Sequence, residues 1–247
     1  MKLFQFNRGG ANRSGFLLPL IYLSLSLTLS GCGGGGSGAT ATQSASIKSE
    51  SLDVFPMNAD YQWYYNNAAT PVAFTRTLNI ADHDIHALEH ITGAREYFFT
   101  TAEELQYFGV YIPSVVVQTI QGSQTYTADI RLDTPITLFS HNWTQGHGES
   151  FSGNGQVNIQ PTYGIKNVTY DGTISYIGTE DYGTPLGTYQ AEHVIYSFVV
   201  STNVNGLQID IPFSTQLWLA TGVGVVGRVE SGLEFKLTAT SGLPSTL

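Results

Sequence analysis

The sequence predicts an all-β protein, a single domain built on a strongly curved antiparallel sheet that forms a half-barrel or open barrel. Three observations lead there. Charged residues are sparse, at 12% of 247, while aromatics make up another 12% and glycine occurs 27 times. That balance suits pleated, half-buried surfaces joined by tight turns better than it suits helix bundles. Runs of β-branched and aromatic residues recur at roughly 8–15-residue spacing between turn signals. No alternation of strand and helix patterns appears, which argues against doubly wound and TIM-type folds.

The first thirteen residues carry Lys2, Arg8 and Arg13 and no acid, and Phe16–Leu29 then runs apolar. A basic start, a short apolar core and a small-residue exit make a secretory signal over residues 1–31. The apolar run is shorter than the roughly 20 residues that span a bilayer. Its exit, Leu29-Ser30-Gly31-Cys32, resembles the lipobox of bacterial lipoproteins, and Cys32 is the only cysteine. The resemblance implies cleavage before Cys32 and acylation of its sulfur, with palmitate-like chains. The thiolate is the nucleophile such a transfer needs, and several acyl chains, at roughly 0.8 kcal/mol per buried CH₂, anchor stably. Glycine rather than aspartate follows the cysteine, a pattern that resembles outer-membrane sorting.

Residues 32–50 are rich in Gly, Ser, Ala and Thr and read as a lipidated, flexible tether averaging about 23 Å end to end. The leader holds three of the ten basic residues and none of the nineteen acids, so the remaining chain is strongly acidic. Nucleic acid is excluded as a partner, since phosphate binding needs a basic surface.

The β domain is assigned to residues 51–243. Tyr61-Gln62-Trp63-Tyr64-Tyr65 is a short aromatic strand, and Phe74–Ile80 alternates in a two-residue rhythm. A turn around Asp82–Asp84 leads to a strand over 85–92, then Arg95–Thr101 and Tyr107–Ile112. Thr101–Gln106, with Thr followed three residues on by Glu, predicts one helical turn. Gly122-Ser123 and Gly153-Asn154-Gly155 read as turns. Asn167–Ile177, Thr188–Val200 and Leu207–Leu219 are long strands, the last two joined through Asn203-Val204-Asn205-Gly206. Val223–Glu230 and Leu233–Thr240 make a final hairpin across Ser231-Gly232.

Three segments together carry a family resemblance: the Phe55–Tyr65 opening, Thr184-Pro185-Leu186-Gly187-Thr188-Tyr189, and Trp218–Val226 with its Gly-Val-Gly. Their set and order resemble a broad group of uncharacterised bacterial envelope lipoproteins, whose sheet is similar to the half-barrel of LolA/LolB-type lipoprotein carriers. The resemblance implies a fold and a place, not a reaction. Ala59 and Asp60 stand where that group usually has glycine.

Trp63, Trp218, Tyr189 and Trp143 are the candidate ligand-facing residues, as large apolar plugs or, for Trp143, a stacking platform in the loop His141–Gly148. His83, His86 and His90 are weak metal candidates, with His141 or His147 to complete a set. Asp82 with Asp84, and Glu103 with Glu104, read as solvated pairs rather than acid–base dyads. No catalytic residue and no cofactor are assigned. The expected function is therefore that of a lipid-anchored envelope protein, non-enzymatic, binding a hydrophobic ligand or a partner protein on a concave sheet face. A structural or assembly protein of the envelope is the alternative, and a hydrolase the third.

Overall fold

The computed structural model describes residues 47–66, 68, 70–90, 92–119 and 122–243. Among them it contains thirteen strands and no α-helix. These are β1 (Ile47–Lys48), β2 (Gln62–Tyr65), β3 (Val72–Ile80), β4 (His83–Glu89), β5 (Arg95–Thr100), β6 (Glu104–Thr119), β7 (Gly122–Ser140), β8 (Gly148–Gln160), β9 (Gly164–Thr184), β10 (Gly187–Val204), β11 (Leu207–Ala220), β12 (Gly224–Glu230) and β13 (Leu233–Ser241). All of β2–β13 pair antiparallel in one sheet, and the β4–β5 pairing closes it into a twelve-stranded ring. The two-residue β1 adds to β4 in parallel. Among the described residues pairing thus begins at Ile47, inside the stretch assigned to the tether, and the Glu50 amide continues it by donating to the Thr100 carbonyl at 2.9 Å.

The turns follow the residues that favour them. Ala81-Asp82, Asn205-Gly206 and Ser231-Gly232 all take positive φ, the conformation that tight hairpins demand. Three sequence expectations fail. Gly122-Ser123 is not a turn but the start of β7, paired with Thr119 and Gln118 of β6. The other two fail for identifiable reasons. Gly153-Asn154-Gly155 is not a turn but the middle of β8. A side chain at Gly153 would strike the Tyr170 hydroxyl at 2.3 Å, and one at Gly155 the Arg131 carbonyl at 2.4 Å. These glycines make room for neighbours. Thr101 does behave like a helix cap, its Oγ1 accepting from the Glu103 and Glu104 amides at 3.2 and 3.0 Å. The chain then enters β6, because Leu105 and Tyr107 bury themselves in the core and outweigh one local turn.

The ring is uneven. Strands β2–β5 and β12–β13 are short, whereas β6–β11 run for up to 21 residues. On its outer edge, β11 pairs with β12 only over Thr215–Ala220. Likewise β6 pairs with β5 only over Leu105–Tyr111. Six long strands therefore continue past their short neighbours as an open, curled sheet.

The main core fills the inside of the ring, where Phe198 stacks on Phe213 at 4.6 Å and meets Tyr107 across the interior at 5.9 Å. A second cluster of Ile80, Ile85, Ala87, Tyr97, Phe99 and Phe108 packs on the opposite face of β3–β6. This explains why β5 reads as a continuous run rather than an alternating one: both of its faces are buried.

Candidate functional site

The inward rows of the long strands are apolar and their outward rows polar. Along β9, Val168, Tyr170 and Ile174 are buried, while Asn167, Thr169, Asp171 and Thr173 are exposed. Where the short strands stop, the inward rows of β6–β11 lose the wall opposite them. They enclose a trough of about 510 Å³, within the 300–1,000 Å³ typical of small-molecule sites. Val115, Ala128, Val157, Val168, Val200 and Ile211 line it, one from each strand in turn, with Ile209 beside Ile211. From Leu207 to Ile211 it runs about 13 Å along β11, at 3.3 Å per residue. Polar groups gather at its mouth. The Tyr126 hydroxyl lies 3.4 Å from that of Tyr163 and donates to Gln124, and Asn205 sits at the tip of the β10–β11 hairpin. Leu207, beside it, is 59% exposed.

A separate feature lies inside the closed part of the ring. Arg228 of β12 reaches Glu96 of β5 through two hydrogen bonds, 2.7 and 2.9 Å, and both residues are buried. His90 donates to the same carboxylate at 2.7 Å, and Arg228 also donates to Glu230 at 3.1 Å. Burial alone would push the Glu96 carboxyl up. The charges of Arg228 and His90, with their hydrogen bonds, outweigh it and hold the group well below the carboxylate range. Burial raises the hydroxyls of Tyr65, Tyr107 and Tyr196 nearby, so they stay neutral. Every charge in this cluster meets a partner that satisfies it, which is the behaviour of a structural crosslink between opposite walls.

The residues singled out in the sequence fall elsewhere. Trp63 is buried and its indole donates to the Val223 carbonyl at 2.6 Å, closing the β11–β12 corner. Trp218 is sandwiched between His193 at 4.3 Å and Tyr182 at 4.5 Å, with its indole donating to Glu180. Tyr189 is half-buried opposite Tyr182 in the same β9–β10 hairpin. Trp143 stacks on His147 at 4.6 Å in the β7–β8 loop. None of the four lines the trough. Cys32 lies outside the described residues.

The three weak metal candidates have separate partners. His83 donates to the Ala81 carbonyl, His86 packs edge-on against Phe74, and His90 holds Glu96. His141 pairs with Asp53, and His147 lies 3.5 Å from Glu149. Among the described residues no three His, Cys, Asp or Glu side chains are grouped to hold a metal ion.

Sequence reasoning missed the trough and the Glu96–Arg228 pair. Signals existed for both. The apolar phase of Leu207-Gln208-Ile209-Asp210-Ile211 continues well past the length of the short strands, and Glu96 shares the phase of Phe98 in an otherwise apolar run. The fold and site together define a closed β-ring with an apolar chamber open at one end. Comparison of the chain with family models, with curated proteins and with solved structures gave no match.

Proposed function

We propose that this chain is a lipid-anchored protein of the cell envelope whose β domain binds a hydrophobic ligand without transforming it. The observation that carries the reading is the trough of about 510 Å³, apolar along its walls and open between β6 and β11. Such a surface is costly to leave facing water, and a ligand that covers it recovers about 25 cal/mol for each Å² removed from solvent. The polar outward rows of β9 are the reverse of the apolar outward band by which a barrel spans a bilayer. That distribution fits a body standing beside a membrane, held there by acyl chains on Cys32, with the outer membrane favoured by Gly33. The resemblance to LolA/LolB-type carriers supports the same role.

The assembly alternative would use a free sheet edge. At the open end two such edges flank the trough, Ile112–Thr119 of β6 and Leu207–Ser214 of β11. Each carries a proline, Pro113 and Pro212, which offers no N–H to a further strand. These two edges are therefore blunted, and the apolar trough between them favours the ligand reading.

The test is to purify the full chain with Cys32→Ser in detergent-free buffer, extract it with organic solvent and analyse the extract by mass spectrometry. One class of amphiphile is expected, near one molecule per chain, and absent from Val200→Trp. A clean extract, together with no saturable uptake of the neutral dye Nile red, would overturn the proposal.

A further inference from the structure

We infer that the trough selects amphiphiles with an anionic head, and that Lys166 at its rim is the group that pairs with that head. The inference rests on the trough being a ligand site and names the chemistry of the ligand. Lys166 stands opposite Val157 in the β8–β9 ladder, with no register shift between those strands. Residues directly opposite in an antiparallel pair share a face, and Val157 lines the trough. The alternation along β9 agrees: Lys166 is half-buried and in phase with the inward residues Val168 and Tyr170. Gly164 carries no side chain, so Lys166 is the first side chain of the inward row at the open end, at the edge of the trough lining rather than within it.

Of the three cations among the described residues that have no carboxylate partner, Lys48, Arg76 and Lys166, only Lys166 stands in register with a residue lining the trough. The protein carries a formal charge of −9, and four cations of the β domain already have carboxylate partners: Arg95 with Glu89, Arg131 with Asp129, Arg228 with Glu96, and Lys236 with Glu234. Among the described residues no carboxylate pairs with Lys166. No acid lines the trough. The carboxylates of neighbouring β9 and β11 face outward: Asp171 is exposed, and Asp210 is held by Ser201 and Gln208 on the outer side.

A lysine here can lay its four-carbon stem along the apolar rim while its ammonium stays in water. The other polar groups of the site, Tyr126, Tyr163 and Asn205, are at the same mouth. The arrangement orients a ligand with its chain inward and its head at the rim. Lysine is a mobile point charge rather than a planar fork, so it accommodates a carboxylate or a phosphate. The ligand is therefore a free fatty acid or an anionic phospholipid, which share this chemistry.

The experiment uses the full chain with Cys32→Ser, so that no acyl chain of its own competes, loaded with Nile red. Dodecanoate, dodecyl phosphate, methyl dodecanoate and dodecanol are titrated as displacers. The wild-type chain is expected to bind the two anions about fivefold more tightly than the two neutral probes, the scale of one partly exposed ion pair. Lys166→Met is expected to erase that preference, leave the neutral probes unchanged and leave the melting curve unchanged, and Lys166→Arg to retain the preference. Raising salt to about 0.5 M is expected to weaken the anions alone. A stronger dodecyl phosphate assigns the phospholipid source, and a stronger dodecanoate the fatty acid. Equal binding of all four probes, insensitive to Lys166→Met, overturns the head-group inference while leaving the trough as a site. Failure of Nile red to bind at all removes both.

Discussion

At the scale of single residues, the strongest commitment in the fold is the charge pair that crosses the ring. Glu96 and Arg228 come from strands far apart in sequence and meet where water is excluded. Removing Arg228 leaves the buried Glu96 carboxylate with His90 as its remaining partner, so Arg228→Met is expected to lower unfolding free energy by about 3 kcal/mol in urea melts, the lower end for a broken buried pair. The double variant Glu96→Gln with Arg228→Met is expected to lose much less, because it removes the buried carboxylate along with its main partner. Acid acts on the same pair. A carboxyl held below its ordinary value contributes stability that is complete above that value and is lost as pH falls toward the folded one. The wild type is therefore expected to lose stability steadily as pH drops below about 4.5, the ordinary value for this group. The double variant should show a flatter curve over the same range. Parallel curves for the two proteins would show that Glu96 does not drive the acid response.

At the scale of elements, glycine placement separates turns from close approaches. Gly109 sits in the bulge of β6 with φ +137°, and a Cβ there would meet the Ile130 carbonyl oxygen at 2.1 Å. Gly109→Ala is expected to cost more than about 3 kcal/mol. Gly183 has nothing within 4 Å of an added Cβ, and Gly183→Ala is expected to change stability by no more than about 0.5 kcal/mol. Thermal or urea melts of the two variants make the comparison. The β9–β10 arm beyond the bulge at His193/Val194 depends on another close approach. Tyr182 lies across Gly227 of β12, its hydroxyl donating to Glu234 at 3.1 Å, under the Lys236 ammonium.

The strands and the primed hairpins were legible because their signals are local. Asn205-Gly206 and Ser231-Gly232 state their own conformation, and alternation over Phe74–Ile80 announces a strand, although the bulge between Phe74 and Arg76 sends Phe74 to the inner core and Leu78 and Ile80 to the cluster on the opposite face. The glycines of β8 were not legible. Their reason is Tyr170 and Arg131, residues on neighbouring strands that no short window contains. The site was less legible than the fold. Trp63 and Trp218 attract notice as large aromatic residues, yet the space they fill is closed. The trough is built from ordinary valines and isoleucines, and it exists only because β6–β11 outrun their neighbours.

At the scale of the whole molecule, mismatch of strand length is the organising fact. The sheet closes where all twelve strands are present and opens where six remain, and the opening is apolar. An acidic chain is repelled by anionic headgroups, so the proposed membrane attachment rests on acylation of Cys32 alone. Cys32→Ala is accordingly expected to move the protein from the membrane fraction to the soluble fraction.

The central claim is that the space between β6 and β11 holds an acyl chain. It is tested most directly by NMR of the methyl-labelled Cys32→Ser chain with a nitroxide-labelled fatty acid. The account predicts saturable, selective broadening of the Val157, Val168, Val200, Ile209 and Ile211 methyls, with Leu217 and Leu237 of the closed core unaffected. Broadening confined to the outward rows, or none at saturating ligand, would contradict it.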